Sequence, residues 1–155
     1  MTKKKNKNTE TRDATPQENR SVCLAQSIMA LRHRLYKMAS ECAPGSNLKS
    51  SELALLITLG RTGTQSMSDL AKACFFSPPN ATYIVSSLEK KGLVKRERSD
   101  KSSRVVFVNM TPAGRTVFEQ TYPLIVRRMN KFFGDRLSDV QIDVLEQVLT
   151  KLTAD

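Results

Sequence analysis

A mainly α-helical fold with one small β-hairpin is what this 155-residue sequence predicts. Three observations carry that expectation. Apolar residues recur at three-four spacing near the start of the chain and again over its last third. A short run of strong β formers lies between them. The cationic excess lies entirely before position 105. The length suits one core, and 1–19, polar and rich in Lys, Asn and Thr, is expected as a disordered basic arm ahead of a single domain at 20–155.

The first helix is expected over about 20–42, where Leu24, Ile28, Leu31, Leu35, Met38 and Cys42 form one stripe before Pro44-Gly45. Ser50 is expected to cap a short second helix burying Leu53, Leu56 and Ile57, with Gly60 as its stop. Ser66 and Asp69 form a capping-box variant that starts a third helix over 67–74. Ser77 followed by Pro78 and Pro79 reads as an N-cap with prolines in the first turn. The helix that follows buries Ala81, Ile84, Val85 and Leu88 and presents Asn80, Tyr83, Ser87 and Lys90 on its other face, ending near Gly92. Val105 to Met110 is the β run; it pairs with the stretch from Leu93 to Arg98 across a turn at Ser99–Ser103. Thr111-Pro112 caps a long helix that contains Pro123 and ends at Gly134, and Ser138 starts the last one.

Charge and composition narrow the function. The formal charge is +10, and 77–104 alone holds seven basic side chains (Lys90, Lys91, Lys95, Arg96, Arg98, Lys101, Arg104) against three acidic ones. After 105 the signs balance, six and six. A local excess of this kind suits a polyanion surface. The longest apolar stretch is Leu53 to Ile57, far short of the roughly 20 residues of a membrane span, so no membrane partner is expected. No apolar segment follows Lys3, Lys4, Lys5 and Lys7, so no secretory signal is expected either. Three cysteines without a CxxC fit a reducing cytoplasm. One histidine and no His/Cys cluster leave no metal site or cofactor to expect. An enzyme is not indicated: there is no nucleophile elbow, Gly-rich phosphate loop or convergent acid/base pair.

Short helix, tight connection, second helix and basic hairpin, in that order, make a winged helix-turn-helix over about 60–115. The second helix of such a unit fits a major groove and its hairpin reaches an adjacent minor groove or backbone. An αα-hairpin inside an ordinary bundle is the alternative for 67–92. The helices at about 20–42 and 112–153 carry more apolar surface than the winged unit can cover, which would drive association into a homodimer; folding back as a monomer is the alternative.

The stretches Met67–Ala71, Ser77–Val85 and Leu88–Val94 resemble the helix-turn-helix of the MarR family of bacterial transcription regulators. Asp100, Arg104 and Val106–Gly114 resemble its wing and the start of the next helix, and the similarity runs over about 20–153. The resemblance implies a homodimer, one winged unit per half of a palindromic double-stranded DNA operator, and a repressor released by a small effector such as an aromatic or phenolic acid. Carried over by position, Ser77, Pro79, Asn80, Thr82 and Tyr83 meet bases and phosphates. Arg104 enters the minor groove, with Arg98, Lys101 and Ser103 beside it. Tyr83 stands where an Arg is common, the wing is one residue shorter, and Ser102-Ser103 replace a frequent Asp and basic residue. His33, Arg34, Tyr36 and Arg61 are the effector candidates, since Arg pairs with a carboxylate and His can hydrogen-bond a phenol. Cys23, near the start of the first helix, is the candidate for a thiol-based redox switch instead. A winged-helix protein-interaction module that ignores DNA is the remaining alternative.

Overall fold

In the computed structural model the described residues are 16–43, 45, 47–99 and 102–154, with backbone alone at 16–18, 99 and 102–104. The chain runs α1 (Pro16–Ser40), α2 (Ser50–Thr62), β1 (Gln65–Ser66), α3 (Met67–Ala73), α4 (Pro78–Lys90), β2 (Val94–Ser99), β3 (Ser102–Met110), α5 (Pro112–Gly134) and α6 (Asp139–Thr153). It forms two compact units, one ending at Arg34 and one spanning Leu35–Asp155. Within the described residues the first unit is the leading part of α1, where Val22, Leu24, Ile28 and Met29 are exposed. Helix starts at Pro16, so 16–19, expected in the arm, are helical. The remainder of the arm, Pro44 and the turn residues Asp100 and Lys101 lie outside the described residues.

The second unit is built around the helix-turn-helix. Leu55, Leu56 and Leu59 of α2, Leu70 and Cys74 at α3, and Ile84, Val85 and Leu88 of α4 close one core with Leu93, Val94 and Val108 of the hairpin. A smaller cluster joins Cys42, Leu53 and Ile125. The sheet order is β1-β3-β2, both pairs antiparallel, with Val94 opposite Met110 and Ser66 opposite Phe107. The hairpin pairs as far as Ser99 and Ser102, with a bulge at Arg98/Ser99, so three residues expected in the turn (Ser99, Ser102 and Ser103) extend the strands.

Caps explain most boundaries. The Ser66 hydroxyl accepts from the Asp69 N–H at 3.1 Å, and that of Thr111 from the Gly114 N–H at 3.1 Å. Gly92, at φ +72°, closes α4 with the Leu93 N–H returning to the Leu88 carbonyl at 3.0 Å. Helix α2 departs from expectation at both ends. Its N-cap is Lys49, whose N–H donates to Glu52 Oε2 at 2.7 Å, while the Ser50 hydroxyl pairs with that of Ser40 at 2.7 Å. It runs through Gly60 to Thr62 and closes at Gly63, φ +76°. Gly60 serves packing instead, because a Cβ there would lie 2.2 Å from the Phe118 ring and its bare backbone lets α5 approach closely.

Candidate nucleic-acid interface

Ala81, Ile84, Val85 and Leu88 turn one side of α4 into the core, which fixes what its other side shows. Pro79, Asn80, Thr82 and Tyr83 are exposed, Tyr83 by 62%. The Thr82 hydroxyl donates to the Pro78 carbonyl at 2.9 Å and retains acceptor capacity. Ser77 caps the helix through its backbone, without a side-chain cap bond, and no acid occupies the first turn. The positive end of the helix dipole therefore meets no carboxylate of its own turn, an arrangement that favours an approaching anion. Lys49 Nζ lies 5.8 Å from the centre of the Tyr83 ring, adding a cation to this face.

Ser87 departs from expectation. Its hydroxyl turns inward and donates to Glu52 Oε1 at 2.6 Å. Glu52, 1% exposed, also accepts from Lys91 Nζ at 2.7 Å and from the Lys49 N–H. Burial alone would raise its pKa, but these bonds from Lys91, Ser87 and Lys49 outweigh burial and hold the carboxyl below its ordinary value. The far end of α4 is thereby bolted to the start of α2. Sequence reasoning missed Glu52 and Lys49; the Lys49-x-x-Glu52 spacing at a helix start was the signal available.

A second bolt ties α4 to the hairpin. Arg96 donates to Glu89 from its backbone N–H (3.2 Å) and from Nε (3.0 Å), and to the Ser86 hydroxyl from Nη2 (2.7 Å). The Arg96 guanidinium beside it, and the Arg96 N–H, hold the Glu89 carboxyl below its ordinary value. Arg98, two residues on in β2, is exposed. Lys101 and the side chains of Ser103 and Arg104 lie outside the described residues. Ser66, Met67, Ser68, Thr82, Arg96, Val105 and Val106 line a cleft of about 410 Å³ between the start of α3, α4 and the hairpin.

The other candidates lie elsewhere. His33 and Arg34 are exposed on the leading unit; in the second unit Tyr36 is half-buried and Arg61 is exposed in the last turn of α2. A cleft of about 340 Å³ opens beside α5, but Cys42, Ala43, Gly45, Val117, Gln120, Thr121 and Leu124 line it. Cys23 is exposed, yet the earlier helix start leaves it seven residues past Pro16, beyond the first turn where a helix dipole acts on a thiol. Among the described residues no group of three or more His, Cys, Asp or Glu could hold a metal ion. Nor, among them, is any helix long and apolar enough to cross a membrane.

Two helices joined by a tight turn, the second open to solvent along a polar face and braced by a β-hairpin, define a winged helix-turn-helix. Residues 48–106 match the model of the MarR family, and over that stretch the chain is similar to it. It is 28% identical over 91 residues to the uncharacterised HTH-type transcriptional regulator YkoM of Bacillus subtilis, a match spanning 59% of each chain. Among solved structures it is similar to Sco3205, a MarR-family regulator of Streptomyces coelicolor in complex with DNA. There the TM-score is 0.75 at 24% identity, covering 94% of this chain and 91% of that one. It is also similar to NadR in complex with 4-hydroxyphenylacetate, TM-score 0.72 at 22% identity, covering 95% and 98%. At these identities the structural likeness is one of fold.

Proposed function

We propose that the protein is a homodimeric repressor that binds a palindromic double-stranded DNA operator, one winged unit per half-site, and leaves it on binding a small aromatic or phenolic acid. The observation that carries DNA reading is the α4 face: Pro79, Asn80, Thr82 and Tyr83 are exposed over a helix start without carboxylates. Asn80 is suited to pair bidentately with adenine, and Tyr83 to touch a phosphate or a thymine methyl. Arg98, Lys101, Ser103 and Arg104 supply the wing's contacts, with Arg104 in the minor groove. Support for the dimer comes from α6, which buries none of its residues and exposes Val140, Val144, Val148 and Leu152. Support for an acidic aromatic effector comes from the fold shared with NadR, which binds 4-hydroxyphenylacetate. His33, Arg34, Tyr36 and Arg61 remain the candidate contacts for its carboxylate and hydroxyl. The thiol alternative keeps one observation in its favour, since Cys23 is exposed while Cys42 and Cys74 are buried.

Fluorescence anisotropy on duplexes from the region beside the gene is the test. One fragment should bind far more tightly than competitor, with log affinity falling linearly in log salt. Equal binding to every fragment would instead favour a winged-helix module that recognises protein. Loss of operator binding on mild peroxide, abolished in Cys23→Ser, would favour the redox switch.

A further inference from the structure

Lys49 is an unusual residue to begin a helix. Side chains that accept a hydrogen bond are preferred at an N-cap, and an ammonium has only donors. The α2 cap is accordingly made by the Lys49 N–H and Glu52, without a side-chain cap bond from Lys49. Its charge also stands at the positive end of the α2 dipole, where a cation is disfavoured. The acid of that first turn, Glu52, is ion-paired to Lys91 at 2.7 Å. Among the described residues no carboxylate pairs with the Lys49 ammonium, and the residue is exposed. Packing of α2 on α4 fixes where it points. Glu52 takes the Ser87 hydroxyl at 2.6 Å. Lys49, three residues earlier, meets Tyr83, one turn of α4 before Ser87, with Nζ 5.8 Å from the ring centre.

We propose that Lys49 and Tyr83 together bind one phosphate of the DNA backbone, Lys49 supplying the charge and the Tyr83 hydroxyl a hydrogen bond. This rests on the DNA binding proposed above and decides between the two contacts open to Tyr83 there, a phosphate or a thymine methyl. An ammonium held beside an exposed ring draws an anion to that spot and offers nothing to a methyl group. Lysine meets a phosphate as a point charge on a flexible stem, so no fixed fork geometry is required of α2. The phenol, on a residue 62% exposed, adds a directed donor. The ring in turn keeps the ammonium near the same phosphate, because a cation is attracted to an aromatic face. A cation set against the dipole of its own helix costs stability, and the phosphate contact offsets that cost in the complex.

The experiment is a double-mutant cycle on DNA affinity over a salt series, using a duplex selected from a random pool by the wild-type protein. Lys49→Met keeps the aliphatic stem, Tyr83→Phe keeps the ring, and the Lys49 N–H still closes on Glu52, so all four proteins are expected to melt alike. Should Lys49→Met melt lower, Lys49→Gln takes its place. Removing the ammonium is expected to reduce the slope of log affinity against log salt by about one for each protomer bound, and Lys49→Arg to restore it. Tyr83→Phe is expected to weaken binding about five-fold in the wild-type background, equally on duplexes changed at any single base pair. In the Lys49→Met background its cost should fall below about two-fold. An unchanged salt slope removes Lys49 from the backbone and overturns the proposal. Equal losses in both backgrounds mean two separate contacts and overturn it as well. So does a Tyr83→Phe protein that binds as the wild type does, since a ring alone suffices for a thymine methyl. Should the wild-type protein select no duplex at all, it is the DNA-binding function that fails. A DNA-binding protein that gives any of the other refuting results sinks the pair alone.

Discussion

Glu52→Gln is the substitution whose cost the structure sets most directly. The carboxylate is 1% exposed and takes three donors: Lys91 Nζ at 2.7 Å, the Ser87 hydroxyl at 2.6 Å and the Lys49 N–H at 2.7 Å. The amide keeps one acceptor oxygen and turns an NH₂ group toward donors. A hydrogen bond to a charged group is worth roughly 1.5–3 kcal/mol and a neutral one roughly 0.5–1.5, so three such exchanges cost about 3 kcal/mol. Lys91 is 32% exposed and recovers water, which brings the expected loss to about 2 kcal/mol. For a chain of this length that is a fall in melting temperature of about 4–8 °C, read by circular dichroism at fixed protein and salt concentration. The pH dependence is a second check. Folding depresses the Glu52 pKa, so its stabilisation is complete above the unfolded value and drains as pH falls through the folded one. The gap between the two proteins should therefore persist near neutrality and narrow only below about pH 4.3. Coincident melts at neutral pH, or a gap unchanged by acid, would refute this account of the buried carboxylate.

Three further outcomes are expected. Gly114→Ala would place a Cβ 2.1 Å from the Leu93 carbonyl oxygen, which is backbone, whereas Gly60→Ala meets the Phe118 ring, a side chain able to turn. Both should destabilise, by roughly 1–3 kcal/mol, with Gly114→Ala the worse in urea denaturation. Val144→Lys, on the exposed face of α6, should shift the protein toward monomer in sedimentation velocity and leave the fold intact. Asn80→Ala should flatten preference among related duplexes, whereas Arg98→Ala should weaken all of them and reduce the salt slope by about one. Identical base preference after Asn80→Ala removes that residue from base readout.

Helix existence and face were legible in the sequence because caps and spacing agreed at α3, α4, α5 and α6, whereas the start of α1 and both ends of α2 were misplaced. Ser66, Ser77, Thr111 and Ser138 all stand at N-caps, and Ala81, Ile84, Val85 and Leu88 are the buried residues of α4. Gly60 shows where one letter holds two meanings. A glycine reads the same whether it ends a helix or makes room for a ring, and only the position of Phe118 decides between them. Strand β1 could not be foreseen, since two residues carry no alternation and exist as strand only through β3. Glu52 escaped for a related reason. Its partners Ser87 and Lys91 lie 35 and 39 residues away, and no local pattern joins them. On the interface, the exposure of Asn80 and Tyr83 followed from helical phase alone, whereas Ser87, on the edge of that phase, was claimed by a buried acid.

The same internal claims change what the charge of the middle segment means. Seven basic side chains between 77 and 104 suggested a dense cationic surface. Yet Lys91 is spent on Glu52, Arg96 on Glu89 and Lys95 on Glu97 at 2.5 Å. These pairs hold the recognition helix and wing in place, and each leaves a carboxylate beside its cation, so their net contribution to a phosphate surface is small. Of the cations in that stretch whose side chains are described, Lys90 and Arg98 are exposed and stand outside these three pairs, and Lys49, from another element, lies over Tyr83. The net charge of +10 is unchanged by these pairs, but fewer single cations are left to meet phosphates directly, so under the proposed DNA binding the contacts from α4 carry more of the discrimination.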